Sequence, residues 1–394
     1  MSRKTGYRAR RLRGGVAMAV GFAVAVVLAG AAGGAQAKGL SRQQSGGDDN
    51  SFRQVNLVSD IPNLAQITDP AVINPWGISF GPKTPLWVSN NGVQPGKTKS
   101  LITLYRGGNA QAPIATRLGL AVDADSPTGT VFNDTTGFKV SQNGQLAPST
   151  FLFNENLFDA NGFPTGEISG WHPTTPAPPT TTEVKVRTPG AFYTGLDLLK
   201  TSHGPRLVVA NFAGKVEVFD ANFRPVRLSA GAFVDPSVTG LTPYNVAVFG
   251  DRVYVSYATP GLTGAISVFT KQGRLVKSLV KVGQRGNHLD GPWGMAIAPR
   301  HWGDFGGDLL VGNVGDGRIN AYDPDSGHFE GTLKDKHGND VINTGLWGLK
   351  FGNGVIGTPR TLVFAAGIGD NPHAPNIYEH GLVGLIMPNP EDND

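Results

Sequence analysis

The sequence contains no cysteine, which excludes disulfide bonds and a lipid-modified N-terminal cysteine. After residue 37, no segment shows apolar residues at helical spacing over three turns, which argues against a helical domain. The G-x-S-x-G, H-E-x-x-H, P-loop and dinucleotide-binding patterns are also absent. The chain therefore lacks the usual sequence signatures of α/β-hydrolases, zinc proteases and nucleotide-binding proteins.

Outside the N-terminal segment the chain has no excess of positive charge. The formal net charge of +4 includes six basic and no acidic residues before Lys38, so the remainder carries 28 of the 34 basic residues against all 30 acidic ones. No stripe of lysine and arginine with interleaved aromatic residues is present. We therefore expect no nucleic-acid partner.

The first 37 residues have the pattern of an export signal. Basic residues up to Arg13 precede an apolar stretch from Val16 to Ala32, and residues 35–37 (Ala-Gln-Ala) form an A-x-A cleavage site. We predict a signal peptide over residues 1–37 and a secreted or periplasmic bacterial protein, without membrane contact after cleavage. The alternative is a permanent membrane anchor, which the short apolar run rich in glycine and alanine disfavours.

What the chain has in abundance is repetition. Six stretches start with a similar short phrase, and the third positions of the copies are 49 to 60 residues apart, a spacing typical of propeller blades. The copies are NPWGISF (74–80), DTTGFKV (134–140), FYTGLDL (192–198), TPYNVAV (242–248), GPWGMAI (291–297) and GLWGLKF (345–351). Each is followed by further short β-branched and aromatic runs bounded by Gly, Asn, Asp and Pro, which predict antiparallel strands joined by tight turns.

These repeats predict an all-β fold, a six-bladed β-propeller with four antiparallel strands per blade. The sixth copy lacks a fourth strand, whereas an orphan strand, residues 52–59, precedes the first copy. We predict that this N-terminal strand completes the last blade and closes the ring, which removes exposed sheet edges. Residues 52–394 are then a single domain, expected to be a monomer, and the polar residues 38–51 are expected to be a disordered lead-in.

The propeller topology assigns residues to one of two faces. The starts of first strands and the ends of second strands lie on the same side of the ring, which we call the top face. On the top face we expect Asn74, Trp76, Thr136, Thr194, Tyr244, Trp293 and Trp347 from the strand starts. From the strand ends we expect Asn90, Asn154, Glu155, Asn211 and Asn313, with Asp370 in a following loop.

Two patterns on the top face have two interpretations each. The repeated asparagines Asn90, Asn154, Asn211 and Asn313 either satisfy turn amides or supply oxygens to a ligand or a hard cation such as Ca²⁺. The Trp-Gly pairs either pack between blades while glycine lets the inner strands crowd together, or line an aromatic cup at the channel mouth. If these residues bind a ligand, the candidate ligand-binding residues are Asn74, Trp76, Asn90, Tyr244, Trp293 and Trp347.

His288, in GNHLDGPWG, is the favoured candidate catalytic residue. It precedes an inner strand by five residues and lies near Asp290, so it can act as a general base or a metal ligand on the top face. The alternative is a solvated loop histidine, because nothing in the spacing determines a partner.

Several segments together resemble a family of exported bacterial proteins without an assigned activity. The segments are NLVSD (56–60), DPAVINPWGISF (69–80), PLWVSNNG (85–92), SPTGTVFN (126–133), FLFNEN (151–156) and GEISGWHP (166–173). That family is similar to NHL-type propellers and, remotely, to gluconolactonase and regucalcin. The remote likeness implies a central divalent cation, for which the positional analogues are Glu155, Asn211, Asn313 and Asp370.

Two functional hypotheses follow, and whether the protein is an enzyme stays open between them. The favoured one is a non-catalytic exported propeller that binds a small ligand, a glycan or a protein through its top face at the central channel. The alternative is a divalent-metal-dependent hydrolase or lyase, similar to a lactonase, with Ca²⁺ or another divalent cation as its only cofactor. The low number of carboxylates expected on the top face favours binding.

Overall fold

A computed structural model describes residues 51–109, 111–259, 263–369 and 378–389. The predicted signal peptide, most of the predicted lead-in and the candidate ligand Asp370 lie outside the described residues. Within those four ranges, helical structure is limited to one 3-10 turn, Gly303–Phe305, and no helix has the length and apolar character needed to span a membrane.

The strands of these ranges are β1 (Phe52–Ser59), β2 (Ile67–Thr68), β3 (Pro75–Ser79), β4 (Leu86–Asn90), β5 (Ser100–Arg106), β6 (Thr116–Ala124), β7 (Thr130–Phe132), β8 (Lys139–Gln142), β9 (Gln145–Pro148), β10 (Phe151–Phe158), β11 (Pro164–Trp171), β12 (Glu183–Pro189), β13 (Tyr193–Thr201), β14 (Gly204–Asn211), β15 (Lys215–Asp220), β16 (Thr242–Phe249), β17 (Arg252–Ala258), β18 (Gly264–Thr270), β19 (Leu275–Val280), β20 (Pro292–Ile297), β21 (Leu309–Asn313), β22 (Ile319–Tyr322), β23 (Phe329–Thr332), β24 (Leu346–Phe351), β25 (Leu362–Ala366) and β26 (Leu382–Pro388).

Six sheets form the blades, which confirms the predicted six-bladed β-propeller. In chain order they are β3-β4-β5-β6, β7-β10-β11-β12, β13-β14-β15, β16-β17-β18-β19, β20-β21-β22-β23 and β24-β25-β26-β1. β1 pairs antiparallel with β26, so that Phe52 lies opposite Pro388 and Ser59 opposite Leu382. The N-terminal strand therefore closes the last blade as predicted, and the short β2 adds a parallel pair at its outer edge.

Blade three departs from the expected four strands because its sheet contains three. After β15 the backbone makes a bond from Val226 N to Val218 O, and an isolated bridge joins Phe219 to Pro225. Proline has no backbone N–H to donate, so Pro225 interrupts the ladder where a fourth strand would start.

Blade two departs from the sequence alignment. Its first strand is β7, whereas DTTGFKV, the predicted first strand with Thr136, leads into β8, which forms a separate hairpin with β9. Two apolar residues at the start of this hairpin are buried: Phe138 and Val140 pack in one cluster with Leu207 and Phe219 of blade three. The corrected register also places Glu155, rather than Asn154, at the position equivalent to Asn90 of blade one.

Glycines bring the first strands of neighbouring blades into close contact around the axis. A Cβ on Gly77 would lie 2.4 Å from Thr128 O, one on Gly294 would lie 2.3 Å from Trp347 O, and Gly129, Gly195 and Gly348 are similarly confined by the next blade. Blade four has Asn245 at this position, and its Nδ2 donates to Trp293 O at 2.7 Å. The expected crowding of inner strands at the Trp-Gly pairs is confirmed.

Candidate functional site

The tryptophans at the starts of inner strands contact one another at the top end of the channel. Trp76 and Trp347 are stacked, with ring centroids 3.5 Å apart, and Trp293 meets both edge-on at 6.2 and 5.9 Å. Tyr244 packs against Trp347, and none of these four side chains is more than 8% exposed. We call Trp76, Tyr244, Trp293 and Trp347 the aromatic plug, because their rings fill the channel mouth instead of lining an open cup.

Polar contacts hold the plug in place. Trp347 Nε1 donates to Asn74 Oδ1 at 3.0 Å, and Trp293 Nε1 donates to Thr194 O at 3.1 Å. Asn74 is itself buried, with a positive φ of 46°. Asn74 thus holds the Trp347 ring in the plug by a hydrogen bond. A ligand-binding role for Asn74 or for the four rings stays a prediction.

Three of the four repeated asparagines bond to local partners. Asn90 Nδ2 donates to Leu101 O at 2.8 Å and to Thr103 Oγ1 at 2.9 Å. Asn211 Oδ1 accepts from Phe192 N at 3.1 Å, and Asn313 Nδ2 donates to His288 O at 2.7 Å. These contacts are the turn and strand-end bonds that the structural interpretation of the asparagines expects. Asn154 does not follow it, because both polar atoms of its buried side chain lack a hydrogen-bond partner.

The four candidate metal ligands are not brought together by any contact in the described ranges. Asn211 bonds within blade three, and Asn313 bonds to the loop before blade five. Glu155 lies between blades one and two, and Asp370 is outside the described residues. A cation held jointly by this set stays a prediction.

Glu155 belongs instead to a cluster of three carboxylates. Asp125, Glu155 and Glu167 each offer an oxygen within 4.8 Å of the others, and we call them the acid triad. Glu155 and Glu167 are directly opposite in the β10–β11 register, and Asp125 follows β6 of the neighbouring blade. Glu155 and Glu167 are each 1% exposed.

Neighbouring basic side chains neutralise part of the negative charge of the acid triad. Lys99 Nζ contacts both Asp125 oxygens, and Arg187 Nε donates to Glu167 Oε1 at 2.7 Å. Burial raises the pKa of Glu155, although hydrogen bonds from Ser169, Asp125 N and Thr182 oppose that rise. Burial also raises the pKa of Glu167, against the charge of Arg187. Glu167 Oε2 is buried and has no hydrogen-bond partner, so the triad retains a free ligand atom.

A second site is a pocket of about 810 Å³ on the top face of blade five, formed by the loop that precedes this blade, its two outer strands and the loop that follows it. We call it the top-face pocket. Its lining includes Asn287, His288, Asp290, Asp316, Arg318, Asn320, Phe329, Thr332, Lys334 and Asp340. The predicted pair His288 and Asp290 therefore borders an accessible pocket.

The His288 ring is exposed and lies over Phe329, with ring centroids 4.0 Å apart. Burial and the charge of Asp316 raise the pKa of Asp290 to about 6, although Arg318 opposes the rise. A carboxyl group that titrates near this pH can accept or donate a proton under mildly acidic conditions.

Arg318 holds two carboxylates of the pocket lining in place. Its Nε donates to Asp340 Oδ2 at 2.7 Å, and its Nη1 lies 3.3 Å from Asp316 Oδ2. The sequence gives no sign of Arg318, Phe329 or Asp340 as site residues, because they lie 30 to 52 residues after His288 and share no recognisable spacing with it.

No protein-family model matches the chain. Two viral proteins are similar in sequence: uncharacterised protein R648 of Acanthamoeba polyphaga mimivirus, 32% identical over 74% of this chain and 72% of its own length, and uncharacterised protein L690 of the same virus, 28% identical over 74% and 77%. The chain belongs to the family of protein R648. These relatives are viral, so membership of the bacterial NHL-like family stays a prediction.

Among solved structures, the GH93 α-L-arabinofuranosidase of Fusarium graminearum in complex with arabinobiose aligns with a TM-score of 0.52 and 10% identity, over 87% of this chain and 98% of the enzyme. The soluble aldose sugar dehydrogenase of Escherichia coli aligns with a TM-score of 0.50 and 10% identity, over 86% and 100%. At such low identity the similarity shows a common fold alone.

Proposed function

We propose that this member of the R648 family is an exported propeller that binds a small polyhydroxylated ligand, a mono- or oligosaccharide, in the top-face pocket. The single observation that supports this proposal is the pocket itself: an accessible volume of about 810 Å³ in which aromatic and hydrogen-bonding side chains converge. Ligand pockets of proteins commonly have volumes of about 300–1,000 Å³.

The chemistry of the lining favours a sugar over an apolar ligand. Carboxylates Asp290, Asp316 and Asp340 accept hydrogen bonds from hydroxyl groups, and Arg318 and Lys334 donate them. The exposed His288 ring over Phe329 offers a flat surface for the apolar face of a sugar ring. The mixed charge of the lining suits a neutral polar ligand better than a strongly charged one.

Binding to immobilised mono- and oligosaccharides, followed by calorimetry on the best ligand, tests this proposal. We expect His288→Ala to weaken binding by about tenfold or more, because the ring is an exposed contact surface with no role in the core. The matched control is His328→Ala, since His328 is also exposed but lies in the β22–β23 connection on the opposite face. Equal affinity of His288→Ala and the unaltered protein, or no binding to any saccharide, would refute the proposal.

A second candidate function is binding of a divalent cation at the acid triad. This site replaces the one predicted from the sequence for a metal-dependent hydrolase. The observation that favours it is the convergence of three carboxylates within 4.8 Å, together with the unpartnered oxygen of buried Glu167. Carboxylate oxygens are the preferred ligands of Ca²⁺. A bound cation there would act as a Lewis acid or as a structural link between blades one and two.

Elemental analysis of protein purified without chelator, combined with thermal melts before and after EDTA, tests the cation site. We expect about one divalent ion per chain and a melting temperature that falls on chelation and recovers on addition. Glu167→Gln should lose the ion, whereas Asp134→Asn, which changes an exposed carboxylate paired with Lys200, should retain it. A metal-free protein that is indifferent to EDTA would rule the site out.

A further inference from the structure

The central channel contains a second cavity, separate from the top-face pocket. Its volume is about 420 Å³, and it is lined by the first strands of all six blades, β3, β7, β13, β16, β20 and β24. The aromatic plug covers its top end, where Gly77, Gly294 and Gly348 are buried. Toward the other end the lining becomes more exposed, because Phe249, Ile297 and Phe351 are only half-buried. The channel therefore opens on the bottom face.

Two opposite charges line this channel from opposite walls. Asp197 is on β13 of blade three and Lys350 is on β24 of blade six, and the third and sixth blades of a six-membered ring face each other. No ion pair within 4.0 Å joins Lys350 to an acidic group in the described ranges. The ammonium group lies 5.5 Å from the centre of the Phe80 ring.

Asp197 has hydrogen-bonding capacity to spare. Its Oδ1 accepts from Leu198 N and its Oδ2 from Val248 N, each at 2.7 Å. A carboxylate offers about four lone-pair sites, so two are left for a ligand. Burial raises the pKa of Asp197, and Lys350 acts in the opposite direction, so the two groups influence each other across the cavity.

A third polar group lines the same cavity. Thr130, on β7 of blade two, has a buried hydroxyl oxygen without a hydrogen-bond partner. That oxygen is fully buried, so it reaches a ligand in the channel only after a change of the Thr130 rotamer. The channel thus combines an ammonium group and a carboxylate on opposite walls in a space large enough for a small molecule.

We propose that the lower channel binds a small zwitterion of the amino-acid type, with the ligand carboxylate toward Lys350 and its ammonium group toward Asp197. A ligand with two opposite charges pairs with both half-buried walls at once, whereas a simple acid or amine leaves one of the two charges unpaired. The mixed lining of apolar side chains, including Leu196, Val246 and Leu349, accommodates the ligand side chain. This proposal is independent of saccharide binding on the top face.

The test is calorimetry of the full mature chain with individual L-amino acids, followed by analogues of the best ligand that lack either the amino or the carboxyl group. We expect one or more amino acids to bind and both analogues to bind at least about tenfold more weakly, as loss of a charge-assisted hydrogen bond predicts. Lys350→Gln should weaken binding to a similar extent. The matched control Lys336→Gln, which changes an exposed lysine outside the channel, should not.

Three results would overturn the proposal: no binding of any amino acid at millimolar concentration, unchanged affinity in Lys350→Gln, or equal affinity for the analogue without an amino group. Asp197→Asn is a less suitable variant, because Asp197 also bonds to the next blade and its loss can disturb folding. His288→Ala should leave amino-acid binding unchanged, which separates this site from the top-face pocket.

Discussion

The aromatic plug and the top-face pocket lie on the same face of the ring but come from different kinds of sequence. The plug is built from one repeated position, the residue that precedes a confined glycine or, in blade four, Asn245, and it is buried. The pocket is built from His288, Arg318 and Asp340, which lie in loops outside the repeated phrase, and His288 is exposed. Repeated residues satisfy the packing that every blade needs, whereas unrepeated loop residues are free to carry a site.

The strongest test of this comparison is Trp347→Ala, which removes a buried ring of the plug. Trp347 is 1% exposed, stacks on Trp76 and bonds to Asn74, so we expect a loss of about 3–5 kcal/mol in the free energy of unfolding. Denaturant titration followed by fluorescence measures it. The control is Leu146→Ala, because Leu146 is 67% exposed. A stable Trp347→Ala protein would show that the plug is not a packing element.

A smaller effect is expected from Gly294→Ala, which tests the close approach of inner strands. The new Cβ would lie 2.3 Å from Trp347 O, a backbone atom that cannot move aside alone, so we expect a loss of about 1–3 kcal/mol. Gly119→Ala is the matched control, since nothing lies within 4 Å of a Cβ at that strand position. Equal unfolding midpoints for the two variants would contradict this tight packing.

The third prediction concerns Asp290 in the pocket. Its pKa of about 6 is raised above the value of 3.8 expected in an unfolded chain, so its contribution to stability is fully present below about pH 4 and is lost as the pH rises through 6. Asp290→Asn should therefore reduce the difference in stability between pH 4 and pH 7. Because solvent screens this partly exposed group, we expect a change of at most about 1 kcal/mol. Denaturant titrations at both pH values measure it, and identical pH profiles would argue against a raised pKa.

The smallest effect on stability is expected for His288→Ala. The side chain is exposed and contacts chiefly the Phe329 ring, so the free energy of unfolding should change by less than about 0.5 kcal/mol. Ligand binding should nevertheless fall, as proposed above. Denaturant titration and calorimetry of both variants then compare stability with ligand affinity. We expect His288→Ala to lose affinity and Trp347→Ala to lose stability. A large loss of stability in His288→Ala would remove this distinction.

The fold was largely predictable, and its exceptions have local causes. The orphan strand β1 and the incomplete sixth copy predicted the ring closure between Phe52–Ser59 and Leu382–Pro388. In blade two, both TGTVF (128–132) and DTTGFKV (134–140) contain a Thr-Gly pair followed by apolar residues, so the sequence pattern does not separate them. The burial of Phe138 against blade three makes the second segment a hairpin.

The sites were less predictable than the fold. The loop position of His288 predicted its place on the top face, but not its contact with Phe329 on the outer strand of blade five. Glu155 was selected as a candidate ligand, but its neighbours Asp125 and Glu167 were not. Both omissions have the same physical origin, because contacts between side chains of different strands or blades leave no regular spacing along the chain.

The sequence by itself determined the strand type, the number of blades and the closing strand, because alternation, turn residues and repeat spacing act within short segments. Only the tertiary structure decided that the tryptophans form a plug, that Glu155 meets two other carboxylates, and that Asp197 faces Lys350 across the channel. These arrangements depend on how blades pack around the axis, which brings together side chains that are up to 271 residues apart in the chain, as Trp76 and Trp347 are.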